Sequence, residues 1–260
     1  MERALWSGVS GMKAQELAMD TIANNLANVG TSAFKASRIS FQDMFYTVLK
    51  TPGATSGDSY IPNGIQIGHG TKVTEVSRAF TQGSLKETGR DLDIGIEGDG
   101  FFEVTLPDGT LAYTRDGSFR KTSAGQVVTS DGYKVSGFDT MDEGTTEVTI
   151  GSDGSFTTLV NGNITTKTSV TLVRFANPEG LRSIGRNLYL PTDVSGTAQT
   201  GINPGENGAG TLAQRYVEAS NVSVAEELVG MIRAQRAFDA SSKAIKASDE
   251  MMTEVNALRR

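Results

Sequence analysis

Two stretches near the ends of the chain place large apolar residues seven positions apart. The first stripe has four residues spaced by seven, Leu5, Met12, Met19 and Leu26, with Val9 and Ala23 in the neighbouring positions. The second stripe consists of Leu228, Met231, Phe238, Ile245, Met252 and Val255. A spacing of seven is the repeat of a coiled-coil seam. The pattern therefore predicts two amphipathic helices, over roughly residues 3–28 and 224–258.

Signals at the helix ends support these limits. Asn28 and Gly30 follow the first stripe, and both residue types suit the left-handed conformation that often closes a helix. Ser223 precedes the second stripe, with Glu226 three residues later, which is the pattern of a capping box. Each end of the chain is therefore expected to fold as one long helix.

The companion positions of the two stripes are polar. Where a stable two-stranded coil needs aliphatic side chains, the chain has Glu16, Gln235, Ser242 and Asp249. An apolar stripe on one helix is usually a core stripe within one molecule, and that interpretation stays open. The polar companions favour the alternative, in which helices from other copies of the chain complete the packing at the twelve stripe residues.

The middle of the chain has the character of a β domain. Of the 30 glycines, 26 lie between residues 31 and 210, and so do all six prolines. Residues 102–106 and 110–114 alternate around Pro107-Asp108-Gly109, which predicts a hairpin. Asp-Gly recurs at 108–109, 116–117, 131–132 and 153–154, so four such turns predict a meander or a small barrel. The tetrapeptide Asp-Gly-Ser-Phe occurs at 116–119 and 153–156, and either a repeated unit or chance reuse explains it.

Two stretches without either periodicity, 51–64 and 196–210, resemble extended connectors. The sequence thus predicts an α+β fold, with long terminal helices that form a coiled-coil-like polymerisation domain and an all-β domain inserted between them. The predicted boundaries are 1–34 and 216–260 for the helical domain, 35–75 and 196–215 for the connectors, and 76–195 for the β domain.

Composition narrows the possible chemistry. The chain has no cysteine, which excludes disulfides and thiolate metal sites, and its one histidine is His69 in a Gly-rich loop. A net charge of -6 argues against nucleic-acid binding, and no stretch is apolar enough to predict membrane insertion or a cleavable signal. The acidic pairs Asp91/Asp93 and Asp142/Glu143 are interpreted as solvated loop charges. We therefore predict no catalytic residue, no cofactor and no metal, and the chain is not expected to be an enzyme.

Several runs resemble bacterial flagellar axial proteins, the family of rod and hook subunits. The longest run is Ala23-Asn24-Asn25-Leu26-Ala27-Asn28-Val29-Gly30-Thr31-Ser32-Ala33-Phe34-Lys35, which is similar to the family's N-terminal signature with Asn24, Asn25, Asn28 and Phe34. Residues 98–102, 112–119 and 216–238 are similar to its β domain and C-terminal helix. Ala33 departs from the pattern, which usually has glycine there, and this bears on the local turn because alanine disfavours positive φ.

Within the family, a length of 260 and the Pro/Gly stretch from Tyr46 to Gly64 are most similar to the subunit of the distal rod. The resemblance implies a structural subunit that polymerises into a helical tube and transmits torque from motor to hook. It implies as partners further copies of the chain, neighbouring rod and hook proteins, the P and L ring proteins and the flagellar type III export apparatus. It places the chain in the distal rod of the basal body, in the periplasm.

Two segments are assigned special roles on this resemblance. Phe41 and Phe45 are candidates for a short export motif. The stretch that contains Tyr46, Pro52, Gly53, Pro62 and Gly64 is predicted to wedge between subunits and stiffen the rod. Two alternatives stay open: another axial subunit, such as a proximal rod or hook protein, and a secreted β-rich adhesin or enzyme with helical ends.

Overall fold

The computed structural model describes residues 2–51, 55–56, 59–60, 63–142, 145–160 and 163–258. The chain divides into two compact units. We call Met1–Ala27, Ser37–Ser77 and Ser223–Arg260 the terminal unit, and Asn28–Ala36 with Arg78–Val222 the β unit. The predicted α+β class is confirmed, with one helix at each end and β structure between them.

The described part of the terminal unit contains both helices and six strands. The helices are α1, Glu2–Ala27, and α2, Val224–Leu258. Both helices were predicted, to within one residue at each end. The strands are β1 (Ser37–Asp43), β2 (Tyr46–Lys50), β3 (Thr55–Ser56), β4 (Ser59–Tyr60), β5 (Ile65–Gly68) and β6 (Thr71–Arg78).

The two helices run antiparallel and meet along small residues. A Cβ atom added to Gly8 would lie 2.7 Å from Cγ1 of Ile245, and one added to Gly11 would lie 3.2 Å from Oγ of Ser241. Farther along, the Asn25 side chain donates a hydrogen bond to Glu227 over 3.0 Å. Residue numbers rise on α1 as they fall on α2, so the helices are antiparallel.

Small side chains fill this contact. Within the described part of the terminal unit, the buried hydrophobic residues are three alanines, Ala14, Ala18 and Ala234. The buried polar residues are Thr21, Asn25 and Ser248. On α1, Gly11, Ala14, Ala18, Thr21 and Asn25 follow a three-and-four spacing that keeps them on one face. The contact brings the helices close together, and the hydrophobic side chains that it buries fully in the described residues are small.

The α1 part of the predicted seam lies beside this contact, whereas Ile245 of the α2 part lies in it, against Gly8. Leu5, Met12, Met19 and Leu26 are half-buried beside the small-residue face, and Ala23 is exposed. The prediction that Gln235, Ser242 and Asp249 are the companion positions of α2 is wrong. The contact uses Ala234, Ser241 and Ser248, which follow the stripe residues Met231, Phe238 and Ile245 by three positions. The predicted companion residues follow the same stripe residues by four positions.

Enlarging a small residue in this contact should separate the helices. Ala18→Leu adds three carbon atoms to a side chain that is 5% exposed, and we expect the free energy of unfolding to fall by about 1–3 kcal/mol. Ala247→Leu, on an exposed position of α2, is the matched control and should change it by less than about 0.5 kcal/mol. Urea unfolding followed by circular dichroism at 222 nm measures both variants. Equal stabilities would show that the helices do not pack through Ala18.

The described strands of the terminal unit pair in three antiparallel ladders, β1 with β6, β2 with β5, and β3 with β4. Part of the stretch that was predicted as an extended connector is therefore paired β structure. Val48 lies opposite Gln66 and Tyr46 opposite Gly68. The predicted domain boundaries stay a prediction.

The β unit holds sixteen strands and one 3-10 helix, Pro178–Gly180, among its described residues. The first eight strands are β7 (Leu85–Glu87), β8 (Ile94–Glu97), β9 (Phe102–Thr105), β10 (Leu111–Thr114), β11 (Arg120–Lys121), β12 (Val127–Val128), β13 (Lys134–Val135) and β14 (Thr145–Ile150). The others are β15 (Ser155–Val160), β16 (Asn163–Ser169), β17 (Leu172–Arg174), β18 (Arg182–Gly185), β19 (Leu188–Leu190), β20 (Gln199–Ile202), β21 (Thr211–Gln214) and β22 (Tyr216–Glu218).

The largest sheet has seven strands in the order β11-β12-β13-β9-β10-β19-β18, and β14, β15 and β16 form a second sheet. The main core lies around Phe102, Phe119, Phe138 and Phe156. These rings meet edge to face, with centroids 5.0 Å apart for Phe102 and Phe119. In contrast to the terminal unit, the β unit buries large aromatic and aliphatic side chains and has its own hydrophobic core.

Three of the four predicted Asp-Gly turns are confirmed as hairpin turns. They join β9 to β10, β12 to β13 and β14 to β15, with Gly109, Gly132 and Gly154 at φ of 81, 87 and 86°. The fourth prediction is wrong. Gly117 packs closely against Ile94, since an added Cβ would lie 1.7 Å from the Ile94 carbonyl oxygen. The strands on either side of this turn, β10 and β11, do not pair with each other. The two Asp-Gly-Ser-Phe copies thus have different structures, which favours chance reuse.

Candidate functional site

Many large apolar side chains of the terminal unit are exposed. On the helices they are Trp6, Leu17, Val224, Leu228, Val229, Ile232, Met251, Val255 and Leu258. On the strands and the turns between them they are Phe41, Phe45, Tyr46, Val48, Leu49, Ile65, Ile67 and Val76. Monomeric proteins rarely show so much exposed apolar surface, which generally marks a site of interaction.

The exposed residues of α2 form two stripes. Val224, Leu228 and Ile232 are spaced by four, and Met251, Val255 and Leu258 by four and three. Either spacing aligns side chains on one helix face. Leu258 is 88% exposed, and the others are near half exposure. Both stripes present apolar surface that another helix can cover.

The predicted polymerisation residues divide into two groups. Half-buried residues are Leu5, Val9, Met12, Met19, Leu26, Met231, Phe238, Ile245 and Met252. Exposed residues are Ala23, Leu228 and Val255. Their role between copies of the chain stays a prediction.

Asn25 of the N-terminal signature fixes the chain that follows α1. Its Oδ1 accepts a hydrogen bond of 2.8 Å from the Ser37 amide, and its Nδ2 donates one of 2.9 Å to the Ser37 carbonyl. Nδ2 also donates to Glu227 of α2, and Asn25 is only 2% exposed. One side chain thus ties both helices and the first strand together. A carboxylate cannot do this because it has no donor when ionised, and a hydroxyl cannot because it donates only one hydrogen bond.

Removing this amide should be costly. Asn25→Ala leaves the half-buried Ser37 backbone groups without these partners, so we expect the free energy of unfolding to fall by about 1–3 kcal/mol. Asn256→Ala, on an exposed position of α2, is the control and should leave it within about 0.5 kcal/mol. Chemical denaturation measures both changes. A loss at Asn25 no larger than at Asn256 would contradict the proposed tie.

Three charges that are far apart in sequence meet inside the β unit. Lys35 Nζ lies 2.6 Å from Glu218 Oε1, and Arg115 Nε lies 2.8 Å from Glu218 Oε2. The Lys35 and Glu218 side chains are fully buried and Arg115 is almost so. We call these three residues the charge cluster.

Backbone groups satisfy the remaining polar atoms of the charge cluster. Lys35 donates to the Thr81 carbonyl, and Arg115 donates to the carbonyls of Gly98 and Gly100. The Gly83 amide donates to Glu218 Oε1 over 2.8 Å. Burial by itself raises the pKa of Glu218, but the charges of Arg115 and Lys35 outweigh it and lower that pKa below its ordinary value. Glu218 is therefore ionised at neutral pH.

The remaining signature residues surround the start of the β unit. Phe34 packs with Ala36 and Val222, and the Arg78 guanidinium carbon lies 5.5 Å from the centre of its ring. Asn28 accepts a hydrogen bond of 3.2 Å from the Thr31 hydroxyl, and Asn24 lies on an exposed position of α1. The turn keeps the conformation usual for glycine, since Ala33 has φ of 55°. Its amide donates to the Glu218 carbonyl over 2.8 Å.

The predicted export and stiffening residues are partly described. Phe41 and Phe45 are exposed on and beside β1, Tyr46 begins the exposed strand β2, and Gly64 precedes β5. Pro52, Gly53 and Pro62 lie outside the described residues. Both roles stay predictions.

The interpretation of the acidic pairs as solvated charges is wrong for Asp93, whereas the Asp91 side chain is 41% exposed. Asp93 is buried and pairs with Arg90, while Asp91 pairs with Arg215 at 2.8 Å. Glu143 of the second pair lies outside the described residues. His69 is half-buried, with its Nδ1 3.1 Å from the Phe45 carbonyl oxygen. Among the described residues there is no group of three metal-ligating side chains, and neither described helix is long and apolar enough to cross a membrane.

Comparisons with known proteins agree with this arrangement. Three family models match the chain: "Flagella basal body rod protein" over residues 5–35, "Flagellar hook protein FlgE/F/G D1 domain" over 95–158, and "Flagellar basal body rod FlgEFG protein C-terminal" over 213–258. The flagellar basal-body rod protein FlgG of Borreliella burgdorferi is 45% identical, with all of both chains covered. That of Buchnera aphidicola is 42% identical over 98% of this chain and 99% of its own.

The chain belongs to the flagellar basal-body rod protein family. The flagellar hook protein FlgE of Helicobacter mustelae is 44% identical, but over only 53% of this chain and 31% of its own length. The resemblance drawn from the sequence is confirmed, and so is the expectation that the chain is a structural protein and not an enzyme. Its place is the flagellar basal body.

The charge cluster was missed by sequence reasoning, although each member lies in a run that carried the family resemblance. Lys35 stands between Phe34 and Ala36, and Glu218 between Val217 and Ala219. A single charge between apolar residues is the signal that could have indicated burial. Because an unpaired buried charge is costly, the same signal would have indicated a buried partner of opposite sign. The small residues of α1 were missed because a search for large apolar residues passes over glycine and alanine.

Proposed function

We propose that this rod-family chain is the structural subunit of the distal rod and polymerises into a helical tube that transmits torque from the motor to the hook. One observation carries the proposal. Among its described hydrophobic residues, the terminal unit fully buries only alanines, and it leaves large apolar side chains exposed on both helices. Helices of neighbouring copies are the partners that would cover this surface, in a coiled-coil-like packing. A head-to-tail contact whose rotation does not close then gives a helical polymer.

The relatives named as basal-body rod proteins favour the rod over the hook. They match over nearly their whole length, whereas the hook protein is matched over about a third of its own. The neighbouring rod and hook proteins are the expected partners at the ends of the polymer. The P and L ring proteins are the expected partners around it, in the periplasm. The flagellar type III export apparatus is the expected route by which the chain reaches the periplasm, and Phe41 and Phe45 are the candidate export motif.

Electron microscopy of isolated basal bodies tests this proposal. The tagged chain replaces the native distal-rod subunit in a flagellated bacterium, and gold-labelled antibody is directed to the tag. We expect label along the distal rod and restored motility. Label confined to the hook or the proximal rod would assign the chain to one of those structures, and absence from basal bodies would overturn the proposal.

The stretch from Tyr46 to Gly64 is proposed to wedge between subunits and keep the rod straight. Its described part supports this role, because β2 and β5 pair with each other while Tyr46, Val48, Leu49 and Ile65 stay exposed. Deleting residues 46–64 should give a curved or more flexible polymer, measured as persistence length in electron micrographs. A polymer of unchanged straightness would contradict the wedge.

A further inference from the structure

The last two turns of α2 have no facing residues on the described part of α1. Residue 8 of α1 faces residue 245 of α2, and residue 11 faces 241. On this register Glu2, where α1 begins, faces the region near Glu250. Residues 251–258 therefore extend about 12 Å beyond the described part of α1, at 1.5 Å per residue. We call residues 251–258 the overhang.

The overhang has one apolar face with an acidic residue in it. Met251, Val255 and Leu258 are 49, 51 and 88% exposed. Glu254 lies three residues after Met251 and four before Leu258, so it shares their face. Glu250 is a further exposed carboxylate one turn earlier.

A concave apolar pocket of about 290 Å³ lies elsewhere in the terminal unit, on the face of α1 that is turned away from α2. Its wall includes Trp6, Val9, Met44, Phe45, His69 and Lys13. Trp6 and Phe45 are 72 and 69% exposed, so the pocket presents two large uncovered aromatic rings. Phe45 and His69 stack with ring centroids 4.6 Å apart, and His69 Nδ1 lies 3.1 Å from the Phe45 carbonyl oxygen. These contacts order the rim without another molecule.

Charge identifies the occupant. Lys13 is exposed at the pocket, and Glu254 is exposed on the overhang. Neither makes a salt bridge to another described residue. An apolar helix face that carries a carboxylate is thus complementary to an apolar pocket that carries an ammonium group.

We propose that the overhang of one copy inserts Val255 and Leu258 into the Trp6–Phe45 pocket of the next copy, with Glu254 paired to Lys13. This inference rests on the proposed polymer. Because pocket and overhang are different surfaces of one chain, each copy offers one of each, and the contact continues from copy to copy.

Disulfide crosslinking tests the contact in rods. The natural chain has no cysteine, so Lys13→Cys with Glu254→Cys introduces the only two thiols. A disulfide needs Cα atoms within about 7 Å. In oxidised basal bodies we expect the double variant to give a ladder of dimers, trimers and larger species, at least tenfold above either single variant. Lys13→Cys with Lys243→Cys, an exposed α2 position outside the overhang, is the matched control and should give no ladder.

The outcomes separate the two proposals. Normal rods without a ladder would overturn the pocket contact and leave the rod function standing, whereas absence of the natural chain from rods would overturn both. If the cysteine pair fails to assemble, charge reversal decides. Lys13→Glu and Glu254→Lys should each lower rod yield at least threefold, and the combined variant should restore it. A combined variant no better than either single one would overturn the contact.

Discussion

Replacing Glu218 with glutamine is expected to lower the free energy of unfolding of the β unit by about 3–5 kcal/mol. The change removes one charge and leaves Lys35 and Arg115 buried beside each other without a counter-ion. Since a typical domain is stable by about 5–15 kcal/mol, a loss of this size is a large share of the total. Urea unfolding can be followed by Phe and Tyr absorbance. This signal reports on the β unit because the aromatic rings of both core clusters are buried there.

Glu97→Gln is the matched control. Glu97 ends β8 in the same unit and is exposed, so its loss should change the free energy of unfolding by less than about 0.5 kcal/mol. Similar values for the two variants would show that the charge cluster does not stabilise the fold.

Acid should remove the same stabilisation in the natural chain. Because the folded pKa of Glu218 lies below its unfolded value of about 4.3, its contribution is complete above that value. The contribution is lost as the pH falls through the folded pKa. Unfolding free energies measured between pH 7 and 2.5 should therefore fall in the acid range, and the fall should be smaller in Glu218→Gln.

The extent of both helices was predictable because periodicity and end signals are local. The face through which they meet was not, since the contact depends on close approach rather than on large apolar residues. Gly8, Gly11, Ala14 and Ala18 carry almost no hydrophobic signal, yet their small size lets α2 approach. The stripe of Leu5, Met12 and Met19 lies one position away from that face, and its role between copies stays a prediction.

The β unit shows the same division between local and distant information. The Phe102–Thr114 hairpin was predictable because its strands and turn adjoin, and β9 and β10 pair in that register. The charge cluster joins residues 35, 115 and 218, which no local pattern connects. Asp93 was misinterpreted for a related reason, because nothing in its neighbourhood distinguishes a buried ion pair from a loop charge. Both kinds of contact depend on which segments the whole fold brings together.

Removing three exposed apolar side chains near the start of α2 should abolish polymerisation at ordinary concentrations. Leu228, Val229 and Ile232 are 46, 48 and 51% exposed. Full burial of such a side chain contributes about 1.5–3 kcal/mol, so covering the exposed half contributes about 1 kcal/mol for each residue. Changing all three to glutamine, which favours helix, should remove about 3 kcal/mol per subunit contact and raise the critical concentration roughly 100-fold.

The matched control makes the same changes on the β unit. Leu111, Ile164 and Ile184 are also exposed, at 42, 76 and 42%, but they lie outside the terminal unit. Changing these three to glutamine should leave the critical concentration unchanged, as measured by sedimentation of polymer across a concentration series. Circular dichroism should show equal helix content in both triple variants as monomers. The α2 variant should not polymerise at the critical concentration of the natural chain if these three side chains form an assembly surface, because their apolar contact with the next subunit is lost. Polymerisation at that concentration would show that they do not form one.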